Sequence, residues 1–172
     1  MATAHYVGKA GQCAVMAELA LRGYNVSIPE IDVGDDIFVL NDASGRLFRI
    51  QVKTATGKKL KRNKGAYRCL FSLKRSHVKN SGKTGSHYVL VARCGGAWRY
   101  LVFKTYILNR LITKGLGTTM SGDRHMITAV FFARHEAKTS TLASAMDLSS
   151  FAGAWNKNWP KLAGGISPAD SD

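Results

Sequence analysis

An acid, an amide and a lysine stand at spacings that suit phosphate chemistry. Asp36 opens a short apolar run, Ile37-Phe38-Val39-Leu40, and Gln51 and Lys53 close the next one, which begins at Phe48. Hydrolysing a phosphodiester needs an activated water and positive charge set against the phosphate. A Mg²⁺ ion (or Mn²⁺) held by carboxylate and carbonyl oxygens supplies both, and a nearby lysine adds a positive contact. Gln51 and Lys53 are two residues apart, so in a strand both side chains leave from one face. Val52 between them faces the other way and packs into a core that fixes the pair.

The elements that must position these groups follow from the pattern around them. Residues 8–22, GKAGQCAVMAELALR, are rich in good helix formers, and Gly23 is a natural C-cap. Alternation then begins: Tyr24, Val26 and Ile28 share one face, and the turn-rich Asn41–Gly45 separates the strand at 37–40 from a strand carrying Phe48, Ile50 and Val52 on one side and Arg49, Gln51 and Lys53 on the other. GKKLKRNKG (57–65) and KRSHVKNSGKTGS (74–86) have the composition of basic loops, with a strand, AYRCLFSL, between them. HYVLVAR (87–93) and WRYLVF (98–103) flank Gly95-Gly96 as a hairpin, and a helix is expected over Lys104–Lys114 and a strand over 126–133. Phe151, Trp155 and Trp159 form an apolar stripe suited to docking a terminal helix, rather than bases, on the sheet. The domain is expected to end near residue 162, with 163–172 a frayed tail. Helix, then a mixed sheet of five to seven strands, then helix is a single α/β or α+β domain.

Charge narrows the partner. The formal net charge is +14, and no acid lies between Asp42 and Asp123, an interval that holds 18 of the 25 lysines and arginines. Unbalanced charge on this scale opposes compaction and fits a polyanion, foremost nucleic acid. Lys58, Lys59, Lys61, Arg62 and Lys64 follow Lys53 closely, and Lys74 and Arg75 open the second basic segment. These seven are the expected phosphate contacts, sequence-independent and salt-sensitive. No apolar run is long enough for a membrane helix and the first residues lack a signal-peptide pattern, so a cytoplasmic protein that does not meet a membrane is expected. The cysteines, Cys13, Cys69 and Cys94, have no zinc-site spacing and read as reduced, mostly buried small hydrophobes.

The ordered set Gly-x-x-Gly-Gln on the first helix, GYNVSIP, Asp-x-Gly-x-Asp (32–36) and Gln-x-Lys-Thr (51–54) resembles the PD-(D/E)XK nuclease superfamily, in the branch of Holliday-junction-resolvase-like and intron-associated endonucleases. The likeness spans roughly residues 5–56. It implies a restriction-endonuclease-like α/β domain whose mixed central β-sheet is flanked by helices. It also implies a divalent-metal-dependent DNA endonuclease. Asp36 would be a metal ligand with Gln51 and the Val52 carbonyl, Gln51 standing where the family more often has Glu or Asp, and Lys53 would position or activate water. A homodimer is implied if two strands are cut. Where the branch places a glutamate on the first helix, this chain has Gln12.

The aligned set Asp36, Gln51, Lys53 and Gln12 thus holds one carboxylate. Glu18 is no easy substitute: six residues along a helix turn it roughly 120° from Gln12 and carry it about 9 Å further. Glu30, Asp32 or Asp35 could add a carboxylate from the turn, or Asp32 and Asp35 could simply be turn formers. Two alternatives stay open: a nuclease fold that binds nucleic acid without cutting it, and a basic partner of an acidic protein or membrane surface. The five histidines show no ligand spacing, and His77, among Lys74, Arg75 and Lys79, is best placed for a phosphate contact. The stretch SGKTGS lacks the earlier glycine of a P-loop.

Overall fold

The computed structural model describes residues 3–31, 34–42, 44–62, 65–80, 86–132, 137–139, 146–155 and 159. Lys64, Asp32, His135 and the expected tail lie outside the described residues. Helix α1 (Ala4–Ala20) begins one turn before its expected start. It ends where Gly23, at φ +78°, turns the chain and the Tyr24 amide bonds the Leu19 carbonyl at 3.1 Å.

Strands β1 (Asn25–Ser27), β2 (Ile37–Asn41) and β3 (Arg46–Thr56) follow, then β4 (Lys58–Lys59), β5 (Tyr67–Lys74) and helix α2 (Arg75–Asn80). Next come β6 (Ser86–Cys94), β7 (Ala97–Lys104), helix α3 (Thr105–Thr113), β8 (Thr118–Thr119), β9 (Arg124–Phe131) and β10 (Ala137–Thr139). They form two sheets. The first is mixed, in the order β1-β2-β3-β6-β7, with β3 and β6 parallel and the other neighbours antiparallel. The second is antiparallel, β10-β9-β5-β4, with β8 beside β9. A single sheet of five to seven strands was the expectation; instead β5 and β9 pair with each other and cover one face of the first sheet. Alternation identifies each strand, but the pairing of β5 with β9 is decided by contacts between residues fifty or more positions apart.

Strand β6 is buried on both faces. Tyr88, Leu90, Ala92 and Cys94 enter a core shared with Phe71 and Leu73 of β5 and Ile127 and Phe131 of β9. Val89 and Val91 enter a second core with Val15 and Leu19 of α1, Ile37 and Val39 of β2, and Phe48, Ile50 and Val52 of β3. Trp155 and Trp159 close this second core, while Phe151 stacks on Phe103 in the first, so the expected aromatic stripe divides between two cores. Helix α1 crosses β3 closely enough that a Cβ at Gly11 would lie 2.0 Å from Thr54 Oγ1.

Both expected basic loops contain regular structure. Lys58 and Lys59 pair with Arg68 and Tyr67 as β4. Arg75–Asn80 is helical because its first amides find distant partners: Arg75 donates to the Asp123 carbonyl and Ser76 to Asp123 Oδ1, both at 2.9 Å. Nothing local to residues 74–86 announces that cap. Cys69 and Cys94 are buried as expected, 3.9 Å apart at sulfur, whereas Cys13 is exposed on the outer side of α1.

Candidate metal and phosphate site

Strand β2 stops one residue short of Asp36, yet the ladder continues: the Asp36 amide donates to the Ile50 carbonyl at 2.8 Å. This sets the Asp36 carboxylate beside the next residues of β3. Asp36 Oδ2 accepts from the Val52 amide at 2.6 Å and from Gln51 Nε2. A β-strand residue directs its N–H and C=O to the same edge. The Val52 carbonyl therefore also faces the β2 side, beyond the end of that strand and beside the acid.

Gln51 is 6% exposed, and its Oε1 is buried with no hydrogen-bond partner among the described residues. Such an oxygen costs roughly 1–3 kcal/mol unless something satisfies it. Lys53 lies two residues on, half-buried and on the face that Gln51 and Tyr88 share. Asp36, Gln51 and Lys53 thus share one edge and face of the first sheet.

Gln12 joins from α1. Its Nε2 donates to the Asp36 backbone carbonyl at 2.5 Å, and its Oε1 accepts from Lys9 Nζ at 2.9 Å. It therefore ties the helix to the acidic turn through neutral groups. Glu18 points elsewhere, held by Arg22 at 2.6 Å beside Tyr100. Asp35 is engaged by the Arg49 guanidinium, with Nε 2.6 Å from Oδ2. Among the described residues no three His, Cys, Asp or Glu side chains come together as a metal cluster. The oxygens available are one carboxylate, one amide and one backbone carbonyl, all hard donors of the kind Mg²⁺ and Mn²⁺ accept.

Two further residues border the site: Tyr88, which carries no signal in the sequence, and His77, which the sequence offers as a phosphate contact. Tyr88 stands in register with Gln51, and its hydroxyl is held protonated well above the usual range, first by burial and then by the carboxylates of Asp36 and Asp35. It sits in a run that reads only as core. His77 of α2 approaches Gly34 so closely that a Cβ there would lie 2.8 Å from its Cε1, which brings α2 against the loop two residues before Asp36. The basic residues divide: Lys58, Lys59, Lys61, Arg62 and Lys74 are exposed, and Arg75 is half-buried at the start of α2. His125 is structural, its Nε2 donating to the Leu116 carbonyl at 2.6 Å.

Among the described residues no helix is long and apolar enough to cross a membrane. None of the curated proteins compared with the chain matches it. A solved structure of a bacterial homing endonuclease, I-Ssp6803I, matches over 91% of both chains with a TM-score of 0.55 and 18% identity, a likeness of fold. The family model for the PD-(D/E)XK endonuclease matches residues 2–94, which span α1, both strands that meet at Asp36, and the central strand β6. This chain belongs to the PD-(D/E)XK endonuclease family.

Proposed function

We propose that the protein is a divalent-metal-dependent endonuclease that hydrolyses phosphodiester bonds of DNA. The observation that carries this reading is the Gln51 side chain, whose Nε2 is tied to the Asp36 carboxylate and whose buried Oε1 has no hydrogen-bond partner among the described residues. An amide oxygen and an acid held together offer hard ligands to a divalent cation. Asp36, Gln51 and the Val52 carbonyl would hold Mg²⁺ or Mn²⁺, which when bound supplies Lewis-acid polarisation of the phosphate and lowers the pKa of a bound water. The Val52 amide and Gln51 Nε2 orient the carboxylate. Lys53 sets its ammonium toward the scissile phosphate and offsets the charge that develops there. Gln12 holds the acidic turn in place through the Asp36 carbonyl. The +14 chain brings DNA to this edge, with Lys58, Lys59, Lys61, Arg62, Lys64, Lys74 and Arg75 as phosphate contacts. The reading also includes a cytoplasmic setting and a homodimer where both strands are cut.

One observation favours a second reading, a nuclease fold that binds nucleic acid without cutting it. The Gln12 amide is consumed by the Asp36 carbonyl and Lys9, leaving a single carboxylate at the site among the described residues. Plasmid nicking decides between them. With Mg²⁺ or Mn²⁺ the protein should nick supercoiled DNA, and Asp36→Ala and Lys53→Ala should each lose at least about a hundredfold in rate, as removal of one electrostatic donor does elsewhere. Salt-sensitive binding with no cleavage of any DNA form supports the second reading. No binding even at low salt defeats both.

A further inference from the structure

The outer face of the second sheet has a pattern that its fold does not require. Along β5, Cys69, Phe71 and Leu73 point into the core, and Arg68, Leu70, Ser72 and Lys74 point outward and are exposed, Leu70 by 56%. Across from them on β9 stand Val130, Thr128, Met126 and Arg124, of which only Val130 is buried. Lys58 of β4 lies beside Arg68, and Thr118 of β8 beside Met126. The face therefore carries a cation pair at each end, Lys58 with Arg68 and Lys74 with Arg124. Between them lie hydroxyls and exposed apolar groups. The one acid nearby among the described residues, Asp123, accepts from Ser76 and lies close enough to Lys74 and His77 to feel their charge.

We infer that this face seats an antiparallel ribbon in the major groove of duplex DNA and reads base edges there. The inference rests on the DNA reading proposed above and gives it a recognition surface. Charge selects the partner: four cations against a single acid, Asp123, among the described residues fit a polyanion. Arg68 and Lys74 are six residues apart, about 20 Å at ~3.4 Å per residue. Laid along the groove, whose width of about 12 Å admits a two-stranded ribbon such as β5–β9, that length lets each cation pair meet phosphates flanking the bases that the centre reads. The centre suits bases, since Ser72, Thr118 and Thr128 can exchange hydrogen bonds with base edges. Leu70 and Met126 can meet thymine methyl groups. Register with the chemistry is built in: β5 runs directly into α2, whose His77 packs on the loop before Asp36.

The test measures binding of the full chain to a fixed short duplex by fluorescence anisotropy, and selection from a pool of randomised duplexes. Arg68→Gln with Lys74→Gln should weaken binding by up to about sixtyfold near 0.1 M salt and flatten the slope of log K against log salt by about 2. Arg68→Lys should retain the slope. Leu70→Ala with Thr128→Ala should leave the slope alone and change which sequences are enriched. All these side chains are on the surface, and an unchanged melting temperature verifies folding. An unchanged slope in the glutamine pair, or the same enriched sequences in the alanine pair, overturns the inference while wild-type binding and cleavage keep the nuclease reading. Enrichment of no sequence by the wild type also overturns it. Absence of any DNA affinity in the wild type sinks the nuclease reading itself.

Discussion

Gln51→Glu puts a carboxylate where a neutral amide now donates to Asp36. Two unit charges about 4 Å apart at an effective dielectric near 20 repel by about 4 kcal/mol. The amide's bond to a charged acceptor, worth about 1.5–3 kcal/mol, is also lost if both groups stay ionised. The protein has a cheaper route, which is to keep one proton between the acids. Holding a proton at pH 7 on a group whose ordinary pKa is about 4.3 costs about 3.7 kcal/mol at 1.36 kcal/mol per unit. Without metal the variant should therefore be less stable than wild type by about 3–4 kcal/mol at pH 7, a fall of roughly 6–16 °C in melting temperature for a chain of this size. The sign with pH is fixed. The pair's folded pKa is raised, so the folded state holds the extra proton. The deficit is absent below about pH 4.3 and grows as pH rises toward the folded value. Mg²⁺ should restore stability and raise the variant's melting temperature more than the wild type's, since binding to the folded state alone stabilises it. Thermal unfolding from pH 4 to 8, with and without Mg²⁺, reads all of this. A variant within about 0.5 kcal/mol of wild type across that range, with no larger metal response, would refute the juxtaposition of Asp36 and Gln51.

Two other perturbations probe the scaffold. Gly11→Ala gains about 0.5–1 kcal/mol of helix propensity but drives a methyl into Thr54, an overpacking cost of about 1–3 kcal/mol, so it should destabilise by about 1 kcal/mol in urea unfolding. Adding Thr54→Ala removes the two nearest clashing atoms, though not Cβ at 2.9 Å, and should recover part of the loss; a stabilising Gly11→Ala by itself would deny the close crossing of α1 over β3. Of the three cysteines, only Cys13 should react with an aromatic disulfide reagent in the native protein, and all three after unfolding. Fast reaction of Cys69 or Cys94 in the native state would show that the core between the sheets opens.

Much of the site was legible along the chain because its parts lie close in sequence and on regular elements. Asp36 borders an apolar run, and the alternation Phe48-Ile50-Val52 against Arg49-Gln51-Lys53 orients Gln51 and Lys53 without any tertiary information. The family resemblance rested on the same residues and on the helix before them, and the family match covers them. Other features needed the third dimension. Whether Gln12 or Glu18 reaches the acid depends on the angle at which α1 crosses β3, which the Gly11–Thr54 approach sets. The helix at Arg75–Asn80 depends on Asp123, which lies across the second sheet.

Composition and periodicity by themselves determined the class of fold, the unbalanced positive charge and the strand that bears Gln51 and Lys53, since each is a local property of the chain. Tertiary structure alone decided that the strands divide into two sheets and that Tyr88 stands behind Gln51. It also decided that Gln51 Oε1 is buried beside Asp36 with no partner among the described residues. Those facts arise from pairings between distant segments, in which each strand's partner is chosen by the packing of both its faces. No local pattern encodes that choice.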